Sequence, residues 1–206
     1  MNDRAKTVSL KDSMCFDLIL FFDCEYTCWE NSHETLWSDP QHPPELLQIG
    51  IAVYNTREKM FLKEFSSLIR PKINPCMSRY CKNLLEIAQE EIDNANEFPI
   101  VSNQISEFVG FYTNYSLCIC SWGPDYIRIS ENALRNNVSD PFETVPRMDL
   151  VKEALKVFGI KGNHVLRDDI KKRLRLKTII DRHDAMADAV DLLEIMDALK
   201  KRIDKR

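Results

Sequence analysis

Leu18-Ile19-Leu20-Phe21-Phe22-Asp23-Cys24-Glu25 runs an unbroken apolar stretch into two carboxylates one residue apart. Alternation along a strand puts residues i and i+2 on one face, so Asp23 and Glu25 point the same way at the end of a core strand. Side by side at the margin of an apolar sheet, two carboxylates repel each other and resist desolvation. A divalent cation between them makes the pair favourable. The stretch therefore predicts a buried first strand over 15–25 that ends in a chemical group.

Working outward, 46–54 and 60–69 read as two more strands joined by the turn-like Asn55-Thr56-Arg57-Glu58, an antiparallel meander. The stretch 33–44, with Pro40, Pro43 and Pro44, reads as a loop. After Pro71 the apolar spacing turns helical over 78–88 and 101–115. A short strand over 117–122, a helix over 126–137 and a fifth strand over 145–148 follow. Asp149 is placed to cap a helix running to Phe158, and helices over 165–176 and 184–201 complete the series. This order predicts an α/β fold: a mixed five-stranded sheet, three strands in a meander plus two parallel ones, flanked by helices. Residues 1–14 are polar and aperiodic and are expected to form a flexible leader to a single domain over 15–206.

Two further motifs carry carboxylates. In Ser121-Trp122-Gly123-Pro124-Asp125 a strand ends at Gly-Pro and Asp125 starts the next helix. Alone, Asp125 reads as an ordinary helix cap. In His183-Asp184-Ala185-Met186-Ala187-Asp188-Ala189 the small residues let a helix pack closely on a sheet, with Asp188 inside a run otherwise suited to burial. Alone, this reads as a capped helix with a surface charge. The combination is more specific than its parts.

The order D-x-E, then D, then H-x4-D resembles the DEDDh family of 3′–5′ exonucleases, a ribonuclease-H-like group, over residues 16–197. The likeness extends to Asp23-Cys24-Glu25-Tyr26-Thr27-Cys28-Trp29-Glu30, Glu45-Leu46-Leu47-Gln48-Ile49-Gly50, Ile69-Arg70-Pro71, Ser78-Arg79-Tyr80-Cys81 and Ile92-Asp93-Asn94-Ala95 with Phe98. It is nearest to the histone-mRNA and small-RNA trimming exonucleases and their bacterial relatives. It implies a ribonuclease-H-like fold and a metal-dependent 3′–5′ exonuclease that releases nucleoside 5′-monophosphates from single-stranded 3′ ends or overhangs, RNA favoured. Asp23, Glu25, Asp125 and Asp188 would then hold two Mg²⁺ or Mn²⁺ ions, with His183 as general base. Tyr26 and Thr27 would lie near the terminal nucleotide; beside the resemblance, Trp29, Trp37 or Tyr26 could stack a base, and Lys171, Lys172, Arg173 and Arg175 could track backbone phosphates. The chemistry of these residue types agrees: an all-oxygen ligand set suits hard cations, paired ions can serve both the attacking and the leaving oxygen, and imidazole titrates near neutrality.

Three departures from the family pattern stand out, one of them an interval from Trp122 to Asp125 that is a residue off the commonest bacterial form. Relatives commonly carry Leu-Thr-Gly-Ile where this chain has Leu84-Leu85-Glu86-Ile87, so a loop near the substrate is expected to differ. No separate RNA-binding domain accompanies the motifs, so substrate would be found by the domain alone or through a partner. A DNA-trimming or proofreading nuclease, and a catalytically silent nucleic-acid-binding module, stay open as alternatives, as does homo-oligomerisation.

Composition bounds the rest. With 44% hydrophobic and 29% charged residues and a net charge of −4, the chain is an ordinary globular protein rather than a polycation that coats nucleic acid. The balance is uneven: residues 1–100 sum to −6 and residues 101–206 to +2, with eight Lys/Arg against three Asp over 161–182, a candidate anion-binding rim. Seven cysteines without zinc-site spacing read as reduced thiols of a cytoplasmic protein. No segment offers the roughly 20 apolar residues that would span a bilayer. His33, His42 and His164 fall in loops and carry no assigned role.

Overall fold

A computed structural model describes residues 6–32, 34–35, 37–177 and 183–204; His33 and residues 178–182 of the basic stretch lie outside the described residues. The first strand, β1 (Leu18–Tyr26), is the axis of the molecule. It pairs antiparallel with β2 (Leu46–Asn55), which pairs antiparallel with β3 (Met60–Arg70), giving the expected meander. Helices α1 (Arg79–Leu85) and α2 (Gln89–Asp93) follow, then β4 (Asn96–Glu97) and α3 (Phe98–Gly110). β5 (Leu117–Ser121) lies parallel to β1, α4 (Asp125–Asn136) follows it, and β6 (Arg147–Asp149) lies parallel to β5. Helices α5 (Leu150–Phe158), α6 (Arg167–Leu174) and α7 (Ala185–Asp204) complete the described chain.

The sheet has six strands in the order β4-β3-β2-β1-β5-β6, one more than expected. The extra one, β4, is two residues long and parallel to β3. A two-residue strand followed by Pro99 has no alternation to read, which is why the pattern misses it. The strand expected from residue 15 begins at Leu18 instead, because Asp12–Cys15 form a 3₁₀ turn.

β1 shows why its sequence is nearly continuous in apolar residues. Ile19 and Phe21 pack with Leu150, Ala154, Leu192 and Met196 from α5 and α7. Leu20 and Phe22 pack on the other face with Val101, Ile105 and Ile129 from α3 and α4. A strand covered on both faces needs hydrophobes at every position, so the first polar residues on it, Asp23 and Glu25, mark the end of the core.

The expected flexible leader is corrected for its described part. Val8 and Leu10 are buried in the same core as Ile19, and Thr7 bridges Arg147 of β6. The Leu10 N–H donates to the buried Glu153 carboxylate at 3.0 Å. Two apolar residues are too few to show periodicity, yet they suffice to close the exposed edge of β6.

The departure at Leu84-Leu85-Glu86-Ile87 has a local structural consequence. Glu86 ends α1 in the left-handed region, φ 55°, ψ 23°, and its N–H donates to the Lys82 carbonyl. A glycine takes that conformation without Cβ strain, which accounts for the family's preference there. Glu86→Gly is expected to stabilise the fold by about 0.5–1 kcal/mol, seen as a higher urea midpoint. An unchanged or lower midpoint would show that the glutamate side chain compensates.

Candidate active site

Four stretches deliver the site. Asp23 and Glu25 come from the end of β1, where the β1–β2 register shifts between Glu25 and Tyr26. A bulge there ends the regular pairing just past the carboxylates. Asp188 comes from the first turn of α7, with His183 just ahead of that helix. Oxygens of Asp23, Glu25 and Asp188 lie within 4.8 Å of one another. Asp125 stands outside that trio but lines the same cavity of about 270 Å³, as do His183, Trp122 and Leu166. Asp125 is not the cap the sequence allows. Pro124 holds the cap position, so Asp125 occupies the first helical turn with its side chain buried.

Placement of α7 depends on two residues of β2. In the β1–β2 register Gly50 lies opposite Asp23 and Gln48 opposite Glu25. A Cβ on Gly50 would sit 2.4 Å from the Met186 nitrogen and 2.5 Å from the Ala185 carbonyl, so the backbone of α7 rests directly on this glycine. Gln48 Oε1 accepts from the Ala185 N–H at 3.1 Å, and Asp184 Oδ1 accepts from Met186 and Ala187 at 3.0 and 2.9 Å. Two otherwise orphaned groups of donors at the helix start are thereby satisfied. Gly50 and Gln48 were visible in the sequence as part of a motif, but their purpose was not.

A second residue outside the sequence reading is Arg167, first residue of α6. Its guanidinium Nη2 lies 2.6 Å from Asp188 Oδ2, and Nη1 lies 3.7 Å from Asp23 Oδ1. Nη1 is buried without a hydrogen-bond partner. Burial works against the charge on Arg167, but Asp23 and Asp188 hold its pKa above the ordinary guanidinium value. Sequence alone placed Arg167 in a basic rim, and nothing in its spacing singled it out.

Burial dominates the carboxylates. Asp23, 8% exposed, is pushed up to about 7 by burial, with Arg167 opposing and Asp188 adding to the rise. Glu25 and Asp125 are raised well above the usual range by burial and then by the Asp23 charge. Asp188 is raised by burial against the pull of Arg167. Four carboxylates, three buried and Glu25 half-buried, crowd one cavity with Arg167 and His183, an arrangement that further positive charge would relieve.

These directions give a testable pH dependence. Asp23 is raised in the folded state above its unfolded value of 3.8, so its stabilising contribution is full below that value and is lost as pH rises through about 7. In the presence of chelator the melting temperature is expected to fall on the order of 5 °C between pH 5 and pH 8. Mn²⁺ is expected to restore more of it at pH 8 than at pH 5. A chelator profile that is flat or rises over this range would contradict the assignment.

The expected substrate contacts divide. Tyr26 lines the cavity, half-buried, with its ring 5.1 Å from that of Trp37. Thr27 does not present its side chain: it is 1% exposed, and its hydroxyl donates to the Pro43 carbonyl and accepts from the Glu45 N–H. Trp29 packs against His42, ring centroids 4.2 Å apart, and is not among the cavity residues; Trp37 is. Lys172 and Arg175 are exposed and do not line the cavity, Lys171 is buried in an ion pair with Asp191, and Arg173 lies over the Phe158 ring. His164, given no role from sequence, lines the cavity. A groove of about 950 Å³ opens alongside, sharing Leu84, Leu85 and His183 with the site.

A mixed sheet carries a carboxylate pair at the end of β1, and Asp125 of α4, Asp188 of α7 and His183 line the same cavity, the grouping expected from the sequence motifs. The chain belongs to the exonuclease family, whose RNase T model matches residues 20–196. It is similar to the 3′–5′ exonuclease eri1 of Schizosaccharomyces pombe, 29% identical over 141 residues, 68% of this chain and 41% of that one. It is also similar to the probable 3′–5′ exonuclease KapD of Bacillus subtilis, 26% identical over 147 residues, 71% of this chain and 67% of that one. The fold matches the nuclease domain of 3′hExo, a DEDDh family member bound to rAMP, with TM-score 0.79 at 19% identity over 90% of this chain and 93% of that one. The chain thus spans about two fifths of the length of the S. pombe relative.

Proposed function

We propose that this protein is a metal-dependent 3′–5′ exonuclease acting on single-stranded RNA ends. The observation that supports it most is the convergence of Asp23, Glu25 and Asp188 within 4.8 Å, beside Asp125 and His183, in a chain of the exonuclease family. The donor set fits the ions: only carboxylate oxygens converge among the described residues of the trio, and a set of oxygen donors alone suits Mg²⁺ or Mn²⁺. Asp23, Glu25, Asp125 and Asp188 would hold these ions. Bound there, the metals supply a water acidified for attack and stabilise charge on the leaving oxygen.

The chain's own side chains do the remainder. His183, exposed at the rim with Nδ1 3.9 Å from Glu25 Oε1, can take a proton from water and pass it to solvent. Tyr26, Trp37 and Trp122 line the cavity in which a terminal base would lie. RNA preference rests on the relatives: the S. pombe protein carries the name of a 3′–5′ exonuclease, the rat relative that of a 3′–5′ exoribonuclease, and the matching 3′hExo structure holds rAMP. Among the described residues no helix is long and apolar enough to cross a membrane.

Digestion of matched 5′-labelled and 3′-labelled RNA and DNA oligonucleotides, with Mn²⁺ or with chelator, tests the reading. RNA shortened stepwise from its 3′ end and mononucleotides released only with metal are expected. Faster loss of DNA would favour the trimming or proofreading alternative. Binding without cleavage would favour the silent module.

A further inference from the structure

Arg167 is seated against two of the three carboxylates whose oxygens converge. It reaches Asp188 Oδ2 at 2.6 Å and Asp23 Oδ1 at 3.7 Å, two members of the trio whose oxygens converge within 4.8 Å. A carboxylate oxygen directed into a charge-assisted bond with a guanidinium is not free to ligate a metal from the same side. A dication between Asp23 and Asp188 would also lie within a few ångströms of a like charge in a poorly screened site. A dication and the guanidinium would therefore compete for these two carboxylates.

We propose that Arg167 is a resident counter-cation of the carboxylate cluster, which divalent ions displace on binding. The proposal rests on the reading of the cluster as the metal site and adds a competitor built into the chain. The seat is suited to release: Nη1 is buried without a hydrogen-bond partner, so charge holds the guanidinium more than a complete set of hydrogen bonds does. The helix need not move with it. Ile170 is fully buried and Lys171, buried likewise, pairs with Asp191 of α7, which anchors α6 one turn beyond Arg167. The long side chain can therefore rotate out past the exposed Leu166 at the cavity mouth while α6 stays docked. Without metal, Arg167 relieves repulsion between Asp23 and Asp188; with metal, the ions take over that task.

The consequence runs opposite to that of a metal-supporting residue. Removing the Arg167 charge should tighten metal binding while weakening the metal-free protein. The test is Mn²⁺ affinity, by calorimetry or by the electron-spin signal of free Mn²⁺, for wild type, Arg167→Gln and Arg167→Lys at pH 7.5, with melting temperatures in chelator and in saturating Mn²⁺. Arg167→Gln is expected to bind Mn²⁺ about tenfold tighter and to melt lower than wild type in chelator, the gap closing in Mn²⁺. Arg167→Lys should lie nearer wild type. Equal or weaker Mn²⁺ binding by Arg167→Gln, or an equal drop in melting temperature with and without metal, overturns displacement but leaves the metal site standing. Absence of Mn²⁺ binding by wild type and both variants overturns the metal reading and this one together. Should Arg167→Gln fail to fold, the wild-type protein gives the answer. With ¹⁵N-labelled arginine, the Nε resonance missing from Arg167→Lys should shift and exchange faster with solvent as Mg²⁺ is added. A resonance unmoved at saturating Mg²⁺ overturns the proposal.

Discussion

Asp23→Asn is expected to lower the rate of RNA cleavage by at least about three orders of magnitude while raising the melting temperature of the chelated protein at pH 8. Both effects have the same origin. Asp23 lies at the centre of the cluster, 8% exposed, with oxygens directed at Glu25 and Asp188. Asparagine keeps the shape but cannot carry the charge that would hold the ions. Without ions that charge is a liability, since burial and the Asp188 carboxylate both push Asp23 toward its neutral form. Relieving it should be worth on the order of 1–3 kcal/mol more at pH 8 than at pH 5, because the penalty builds as pH rises from the unfolded value of 3.8 to about 7. Calorimetric scans at the two pH values and single-turnover cleavage with Mn²⁺ separate the two effects. Retained activity, or a loss of stability at pH 8, would remove Asp23 from its assigned place.

Gly50→Ala is expected to cost about 3 kcal/mol or more and to reduce cleavage at least about a hundredfold, although no atom of Gly50 belongs to the reacting set. The added methyl would meet backbone atoms of Ala185 and Met186, not the end of a flexible side chain. Relief requires α7 to lift from β2, breaking the hydrogen bond from the Ala185 N–H to Gln48 and carrying Asp188 away from Asp23. Denaturant melts and initial rates in Mn²⁺ report the two losses. A variant as stable and as fast as wild type would show that the helix has slack at this contact.

The main elements were readable because burial writes itself into residue order. β1 and β2 are covered on both faces and so run apolar. α5 begins where Asp149 can cap it, and its carboxylate does accept from Val151 and Lys152. α2 and β4 escaped notice since five and two residues are too short for a period to emerge. The leader was misread for a similar reason: Val8 and Leu10 look incidental in a polar stretch until β6 gives them something to cover.

The same division holds at the site. Asp23 and Glu25 stood out because carboxylates interrupting a core strand are costly without a purpose, whereas Asp125, His183 and Asp188 were legible only through the combined order D-x-E, D, H-x4-D and the family it resembles. Strand alternation needs no tertiary information to put Asp23 and Glu25 on one face. The substrate contacts were less legible: Thr27 turned inward to the Pro43 carbonyl, and of the three candidate stacking rings Tyr26 and Trp37 line the cavity while Trp29 does not. Nothing along the chain could announce that Arg167 faces Asp23 across 144 positions, or that α7 needs a residue without Cβ at position 50. Local order is set by steric and burial rules acting over a few residues, whereas an ion pair or a backbone contact across the fold depends on distances that exist only after the sheet and its helices have packed.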